Sequence, residues 1–172
     1  MCFLKIHYHE VIQRDMILTE IVETVSELSS PTKVILSLGG GNNEESYVMS
    51  CIFFLFCVCG KKPFYIRQKI QGFKDGNVIG GKLTFRKFYM YNFISRLLFE
   101  ILPRMKHFEG FRFPQHNNCF SFILKDIFVF EGLGSLFTYL EQLNSLQCQI
   151  HFTTKSKSEV SVLGQGLLFC FL

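Results

Sequence analysis

The run from Val48 to Cys59 constrains this chain more than any other feature. It is the most hydrophobic stretch of the sequence. A helix that crosses a bilayer needs about 20 consecutive apolar residues, and this run stops at Gly60-Lys61-Lys62. A segment so apolar and so short is expected as a buried core helix, which other elements must cover. With 172 residues the chain has the size of one ordinary domain, taken as 1–172, able to bury roughly two thirds of its unfolded surface without disulfides or metals. A 48% hydrophobic content with 21 Phe excludes a disordered chain, which needs low hydrophobicity and high net charge.

The flanks of the run show what covers it. From His9 to Leu28, the apolar residues Val11, Ile12, Ile17, Leu18, Ile21, Val22, Val25 and Leu28 recur near helical spacing. Ser29-Ser30-Pro31 breaks this first amphipathic helix. Lys33 to Gly40 then alternates Val34, Leu36 and Leu38 with Lys33, Ile35 and Ser37, the period of a strand. Gly39-Gly40-Gly41 and Asn42-Asn43 form a corner. Glu44 and Glu45 follow in the first turn of the core helix, where carboxylates oppose the positive end of its dipole, and Gly60 closes it.

Downstream, Pro63 to Gln71 is extended and basic, Gly72-Phe73-Lys74-Asp75-Gly76-Asn77 carries turn residues, and Val78 to Phe88 is again a strand. The two segments are expected to pair antiparallel. In the second, Lys82, Thr84 and Arg86 share one face while Gly81, Leu83 and Phe85 share the other. Tyr89 to Leu102 returns to helical spacing and ends at Pro103. Cys119 to Phe130 and Gln147 to Thr153 are β-prone, separated by Gly132-Leu133-Gly134 and a short segment around Phe137 to Leu143. Ser156 with Glu159 forms a capping-box pattern that opens a last helix toward Leu168. Segregated helices and mostly antiparallel strands predict an α+β two-layer sandwich, with helices packed on one face of the sheet.

Eighteen Lys and Arg against 14 Asp and Glu is a mild excess, so position matters more than sum. Lys61 to Arg112 carries most of the basic residues and is a candidate nucleic-acid face. On a bare strand, though, Lys82 and Arg86 also suit an ordinary solvated surface. Seven Cys is an odd count, and the start of the chain has neither the apolar core of a signal peptide nor the acid-poor, Arg-rich character of a transit peptide. Buried thiols are expected rather than a disulfide framework. Cys57-x-Cys59 has no second ligand pair at metal spacing, so no metal is expected. Gly39-Gly40-Gly41 lacks the Lys-Ser/Thr ending of a P-loop, and the five His stand at no catalytic spacing to a nucleophile or carboxylate, so neither a cofactor nor an enzyme is expected. Alanine and Trp are absent while Phe is abundant, a bias that matches an AT-rich organelle genome and suggests a mitochondrial origin.

In this order the motifs resemble those of universal large-subunit ribosomal protein five, the bacterial-type family that binds 5S rRNA. Ile35-Leu36-Ser37-Leu38-Gly39-Gly40-Gly41 is similar to the family's early strand and Gly-rich corner, and Gly60-Lys61-Lys62-Pro63 to its Gly-Gln-Lys-Pro. Ile70-Gln71-Gly72-Phe73-Lys74 resembles its Ala-Gly-Phe-Lys loop, and Ile79-Gly80-Gly81-Lys82-Leu83-Thr84-Phe85-Arg86 its Ile-Gly-Cys-Lys-Val-Thr-Leu-Arg strand. Pro103 to Gly110 and Ile150 to Ser156 match its Pro-Arg-Ile-Arg-Asp-Phe-Arg-Gly and Ile-Thr-Thr-Thr-Ala-Lys-Ser. Lys61 replaces the usual Gln, Phe64 and Ile66 stand where smaller residues are common, and Phe113 to Leu146 matches loosely.

The resemblance implies a structural constituent of the large ribosomal subunit that binds 5S and large-subunit rRNA in the central protuberance. It also implies neighbouring ribosomal proteins of both subunits as partners, with a bridge to the small subunit, and a loop facing the peptidyl-site tRNA. Carried over by motif, rRNA would meet Ser37, Gly40, Asn42, Lys61, Lys62, Arg67, Lys69, Lys82, Thr84 and Arg86. Gly72, Phe73, Lys74, Asp75 and Gly76 would form the tRNA loop. Its location would be the mitochondrial ribosome, with no membrane insertion. The rival reading is a small membrane-associated organellar protein, motivated by a mean hydropathy of +0.24, the Val48 to Cys59 run and the apolar end Leu167 to Leu172.

Overall fold

The computed structural model describes residues 3–19, 27–40, 44–68, 76–106, 108–112, 114, 116, 118–143, 145–154 and 156–171. Helix α1 (Phe3–His7) runs through a π turn (Tyr8–Ile12) into α2 (Gln13–Thr19), followed by β1 (Pro31–Gly39), α3 (Glu45–Cys59), β2 (Phe64–Arg67) and β3 (Val78–Arg86). Helix α4 (Lys87–Arg96) continues through a second π turn (Leu97–Ile101) into a 3-10 turn at Leu102–Arg104. After β4 (Cys119–Leu124) come a 3-10 turn (Gly134–Leu136), the short α5 (Phe137–Leu140), β5 (Leu146–Phe152) and α6 (Lys157–Gly166). The strands form one antiparallel sheet in the order β2-β3-β1-β5-β4, with helices packed around it, so the expected α+β class holds. The chain falls into two compact units: Met1–Val34, Phe85–Phe122 and Gln149–Leu172 in the first, Ile35–Thr84 and Ile123–Cys148 in the second.

In the first unit the N-terminal helix corrects its sequence reading in two ways. It is already helical at Phe3, ahead of the expected start at His9. Its buried stripe is Leu4, Tyr8, Ile12 and Met16, whereas Val11, Ile17 and Leu18 are exposed, Leu18 at 83%. The cause is the π turn, in which Gln13 N–H donates to the Tyr8 carbonyl five residues back. That turn takes in an extra residue, so positions four apart stay aligned instead of drifting round the helix. Tyr8 anchors the stripe by donating its hydroxyl to the Ser29 carbonyl at 2.9 Å.

At the other end of this unit Ser156 caps the last helix, as expected. Ser156 Oγ accepts from Glu159 N–H at 3.3 Å and donates to Glu159 Oε1 at 2.9 Å. Glu159 Oε2 accepts from the buried Ser29 hydroxyl at 3.0 Å, which ties the start of α6 to the break before β1. Phe111 packs edge-on against Phe120 and Phe169, at ring separations of 5.2 and 5.7 Å. These three rings are core, not site.

Strand β1 buries Val34, Leu36 and Leu38 as alternation requires, but Ile35 on its other face is buried as well, so that face is not wholly solvated. Helix α3 ends at Gly60, whose left-handed backbone (φ 63°) lets its N–H reach the Phe56 carbonyl at 2.7 Å. The helix is buried along Val48, Cys51, Phe54 and Leu55 only. Met49, Phe53 and Phe56 face outward, so the expected core helix is buried along one stripe. Met49 and Phe53, with Thr138 and Tyr139, border an open cavity of about 600 Å³. Among the described residues no helix is long and apolar enough to cross a membrane. The β-prone stretch from Cys119 forms a strand only to Leu124, because Asp126 turns the chain by accepting from Phe128 N–H at 3.0 Å.

Candidate nucleic-acid interface

Strand β3 carries the pattern its sequence announced. Gly81, Leu83 and Phe85 are buried, Lys82 and Arg86 are exposed, and Thr84 is half-buried between them. The buried side is fixed by close packing: a Cβ added to Gly81 would come within 2.9 Å of Leu55 Cδ1 on α3. With that side committed to the core, period-two alternation leaves the cationic side chains no choice but water.

The edge strand β2 pairs antiparallel with β3, Phe64 opposite Lys82, Tyr65 opposite Gly81 and Ile66 opposite Gly80. The register shifts between Ile66 and Arg67, so that Arg67 meets Val78. Arg67 is exposed. Lys61 and Lys62 are also exposed, just past the end of α3, where cations complement the negative end of a helix dipole.

The Gly-rich corner is built by close approach of backbones. A Cβ on Gly39 would lie 2.6 Å from the Ile79 carbonyl oxygen, and one on Gly80 would lie 2.6 Å from Gly39 Cα. Gly40 N–H donates to that Ile79 oxygen at 3.2 Å. The two Gly pairs that the family likeness singled out are thus one contact, Gly39-Gly40 against Gly80. On the face of β1 shared with Ile35, half-buried Ser37 donates to Gln147 Oε1 at 3.1 Å. Asn42 lies outside the described residues.

Of the expected tRNA loop, Gly72, Phe73, Lys74 and Asp75 lie outside the described residues, as does Lys69. The neck of the hairpin is described. Gln68 N–H donates to the Asn77 carbonyl at 2.9 Å, and Gly76 has no room for a Cβ against the Gln68 carbonyl. The structure therefore brings together Lys82, Thr84 and Arg86 on one strand face, with Arg67 on the adjacent strand and Ser37, Gly40 and Gly80 at the corner.

Sequence reading missed the exposed aromatics. Phe64 is 74% exposed and Tyr65 51%. Phe88 and Tyr89, in the first turn of α4, are exposed and pack edge to face at 6.0 Å. They follow Lys87, a non-glycine residue at φ 53°. The only available signal was their position beside Lys61-Lys62 and Arg86-Lys87. Among the described residues no cluster of three His, Cys, Asp or Glu side chains is placed to hold a metal ion.

No family model matches the chain. Curated relatives span nearly all of it. It is 28% identical over 171 residues to the large ribosomal subunit protein uL5m of Reclinomonas americana, covering 95% of this chain and 94% of the relative. It is 29% identical over 174 residues to uL5 of Polynucleobacter asymbioticus, covering 96% and 95%. A shorter stretch of 101 residues is 38% identical to uL5 of Ehrlichia chaffeensis, 55% of this chain and 57% of that protein.

Proposed function

The chain is a homologue of the large ribosomal subunit protein uL5, and from that premise we propose that it is a structural, non-catalytic constituent of the large ribosomal subunit that binds rRNA. The observation that carries the RNA reading is the row of exposed Lys82 and Arg86, with half-buried Thr84 between them, on a strand whose other side is packed. Phosphates dominate RNA affinity, and Lys, Arg and hydroxyl side chains on a rigid strand meet them without reordering the backbone. Arg67 extends the row onto the adjacent strand, Lys61 and Lys62 flank it, and Ser37 and Gly40 offer polar and backbone groups at the Gly-rich corner; Lys69 and Asn42, next to these in sequence, belong to the same reading.

The finer reading is that the RNA is 5S rRNA together with large-subunit rRNA, in a mitochondrial ribosome. A mitochondrial uL5m among the relatives and the alanine-free, Phe-rich composition support that location. In the same reading, Gly72, Phe73, Lys74, Asp75 and Gly76 reach toward the peptidyl-site tRNA, and neighbouring proteins of both subunits, including a small-subunit bridge, are partners. The membrane-associated alternative gains nothing from the helices described, none of which is long and apolar enough to span.

The test is binding of a bacterial-type 5S rRNA transcript at several salt concentrations. Each neutralised phosphate contact flattens the slope of log affinity against log salt by somewhat under one. A variant with Arg67, Lys69, Lys82 and Arg86 all changed to Gln should lose about three units of slope. An unchanged slope removes this face from the interface. Replacing Phe73 and Lys74 by Ser should leave that binding intact while lowering tRNA occupancy of assembled ribosomes, and equal occupancy would refute the loop's role.

A further inference from the structure

Strand β2 lies at the edge of the sheet, and its first residue is out of place for a solvated surface. Phe64 is 74% exposed, directly opposite the exposed Lys82 in the antiparallel register. Directly opposite residues put their Cβ atoms about 5 Å apart on the same face of a sheet. The ring and the ammonium group therefore project side by side. A bare aromatic on an unpaired edge strand invites edge-to-edge association, so a surface with this residue needs an occupant.

Charge selects which occupant. Lys61 and Lys62 precede β2, Arg67 ends it, Lys82 faces it, and Asp75 is the sole acid between Gly60 and Arg86 in sequence. A polyanion is favoured here, and an acid-poor apolar spot among cations suits an unpaired nucleotide. Its base stacks on an aromatic ring while its phosphate meets a cation, the combination by which single-stranded RNA is held.

We propose that Phe64 is a stacking site for one unpaired nucleotide of the bound RNA, with Lys82 taking that nucleotide's phosphate. This rests on the rRNA-binding reading and deepens it, since it assigns an aromatic contact to a face read so far only through its cations. It also explains a departure from the family pattern, in which smaller residues are common at the position of Phe64: the larger ring trades a bland surface for a base-sized platform.

The experiment uses the full chain and the 5S rRNA transcript, with four proteins compared. Phe64→Ser should weaken binding roughly five- to a hundredfold, the loss of one base–aromatic stack, at an unchanged salt slope, because no charge has been removed. Phe64→Tyr keeps a stacking face and should bind like the parent. Lys82→Gln should flatten the slope. Melting temperatures of the Phe64 variants should match the parent, since the side chain is exposed. If the parent binds RNA and Phe64→Ser binds within twofold of it, the stacking site is refuted while the rRNA reading stands. If Phe64→Ser instead abolishes self-association and leaves RNA affinity untouched, the occupant is another protein strand and the proposal is equally wrong. If the parent binds no RNA at low salt, both readings fall together.

Discussion

Substituting Gly80 by Ala tests the contact on which the Gly-rich corner depends. The new Cβ would collide first with the Leu38 carbonyl oxygen, and stand 2.6 Å from Gly39 Cα and 3.0 Å from the Leu38 carbonyl carbon, where ordinary carbon contacts begin near about 3.5 Å. Strand β3 must then part from β1 by roughly 1 Å. The Gly40 N–H bond to the Ile79 carbonyl, now 3.2 Å, stretches out of hydrogen-bonding range. A lost backbone bond of about 1 kcal/mol and an overpacking cost of about 1–3 kcal/mol together give about 2–4 kcal/mol. For a chain of this size that lowers the melting temperature by about 5–15 °C. Gly134→Ala is the matched control, because nothing lies within 4 Å of its Cβ position, and a surface change of this kind shifts stability by under about 0.5 kcal/mol. Thermal unfolding followed by circular dichroism compares the two. Equal melting of Gly80→Ala and the parent would refute the close-approach argument outright.

Three further outcomes follow from the same structure. Phe54 is fully buried and edge-on to Phe130 at 5.6 Å, so Phe54→Asp should abolish cooperative unfolding by stranding a charge in the core; a retained near-ultraviolet spectrum and melting point would show that α3 is not core there. Ser156→Ala should lower stability by about 1 kcal/mol through loss of the α6 cap, read from the urea midpoint, and an unmoved midpoint would mean the cap contributes nothing. Burial pushes the Cys51 thiol from 9.0 up to about 11 and raises Tyr8 above 10.0. Both are acids kept neutral by the fold: the share of Cys51 is complete below about pH 9 and drains away as pH climbs through about 11, and that of Tyr8 is complete below about pH 10 and lost above it. Urea midpoints across that range should fall, and Cys51→Ser should fall less steeply; identical slopes would disprove the assignment.

The primary sequence by itself determined the elements whose signals are local. Alternation along Val34 to Leu38 and Gly81 to Phe85 set both strands and one buried face of each, because a strand turns over at every residue whatever packs on it, whereas the burial of Ile35 on the other face of β1 came from packing. Gly60 marked the end of α3 and Ser156 with Glu159 the start of α6, since both motifs satisfy backbone groups within one turn. The row Lys82, Thr84 and Arg86, two cations about a hydroxyl, was legible for the same reason. Only tertiary structure decided which stripe of a helix is buried. Leu4, Tyr8, Ile12 and Met16 face inward because a π turn holds fourfold spacing in line, and simple helical periodicity has no term for such a turn. An apolar-all-round helix such as α3 likewise carries no directional signal, so the choice of Val48, Cys51, Phe54 and Leu55 over Met49, Phe53 and Phe56 was left to its neighbours. The pairing of Gly39 with Gly80 joins residues some forty positions apart, and the exposure of Phe64 follows from β2 lying at the sheet's edge. Both are consequences of strand order, which depends on how distant segments meet and not on the chemistry of any one of them.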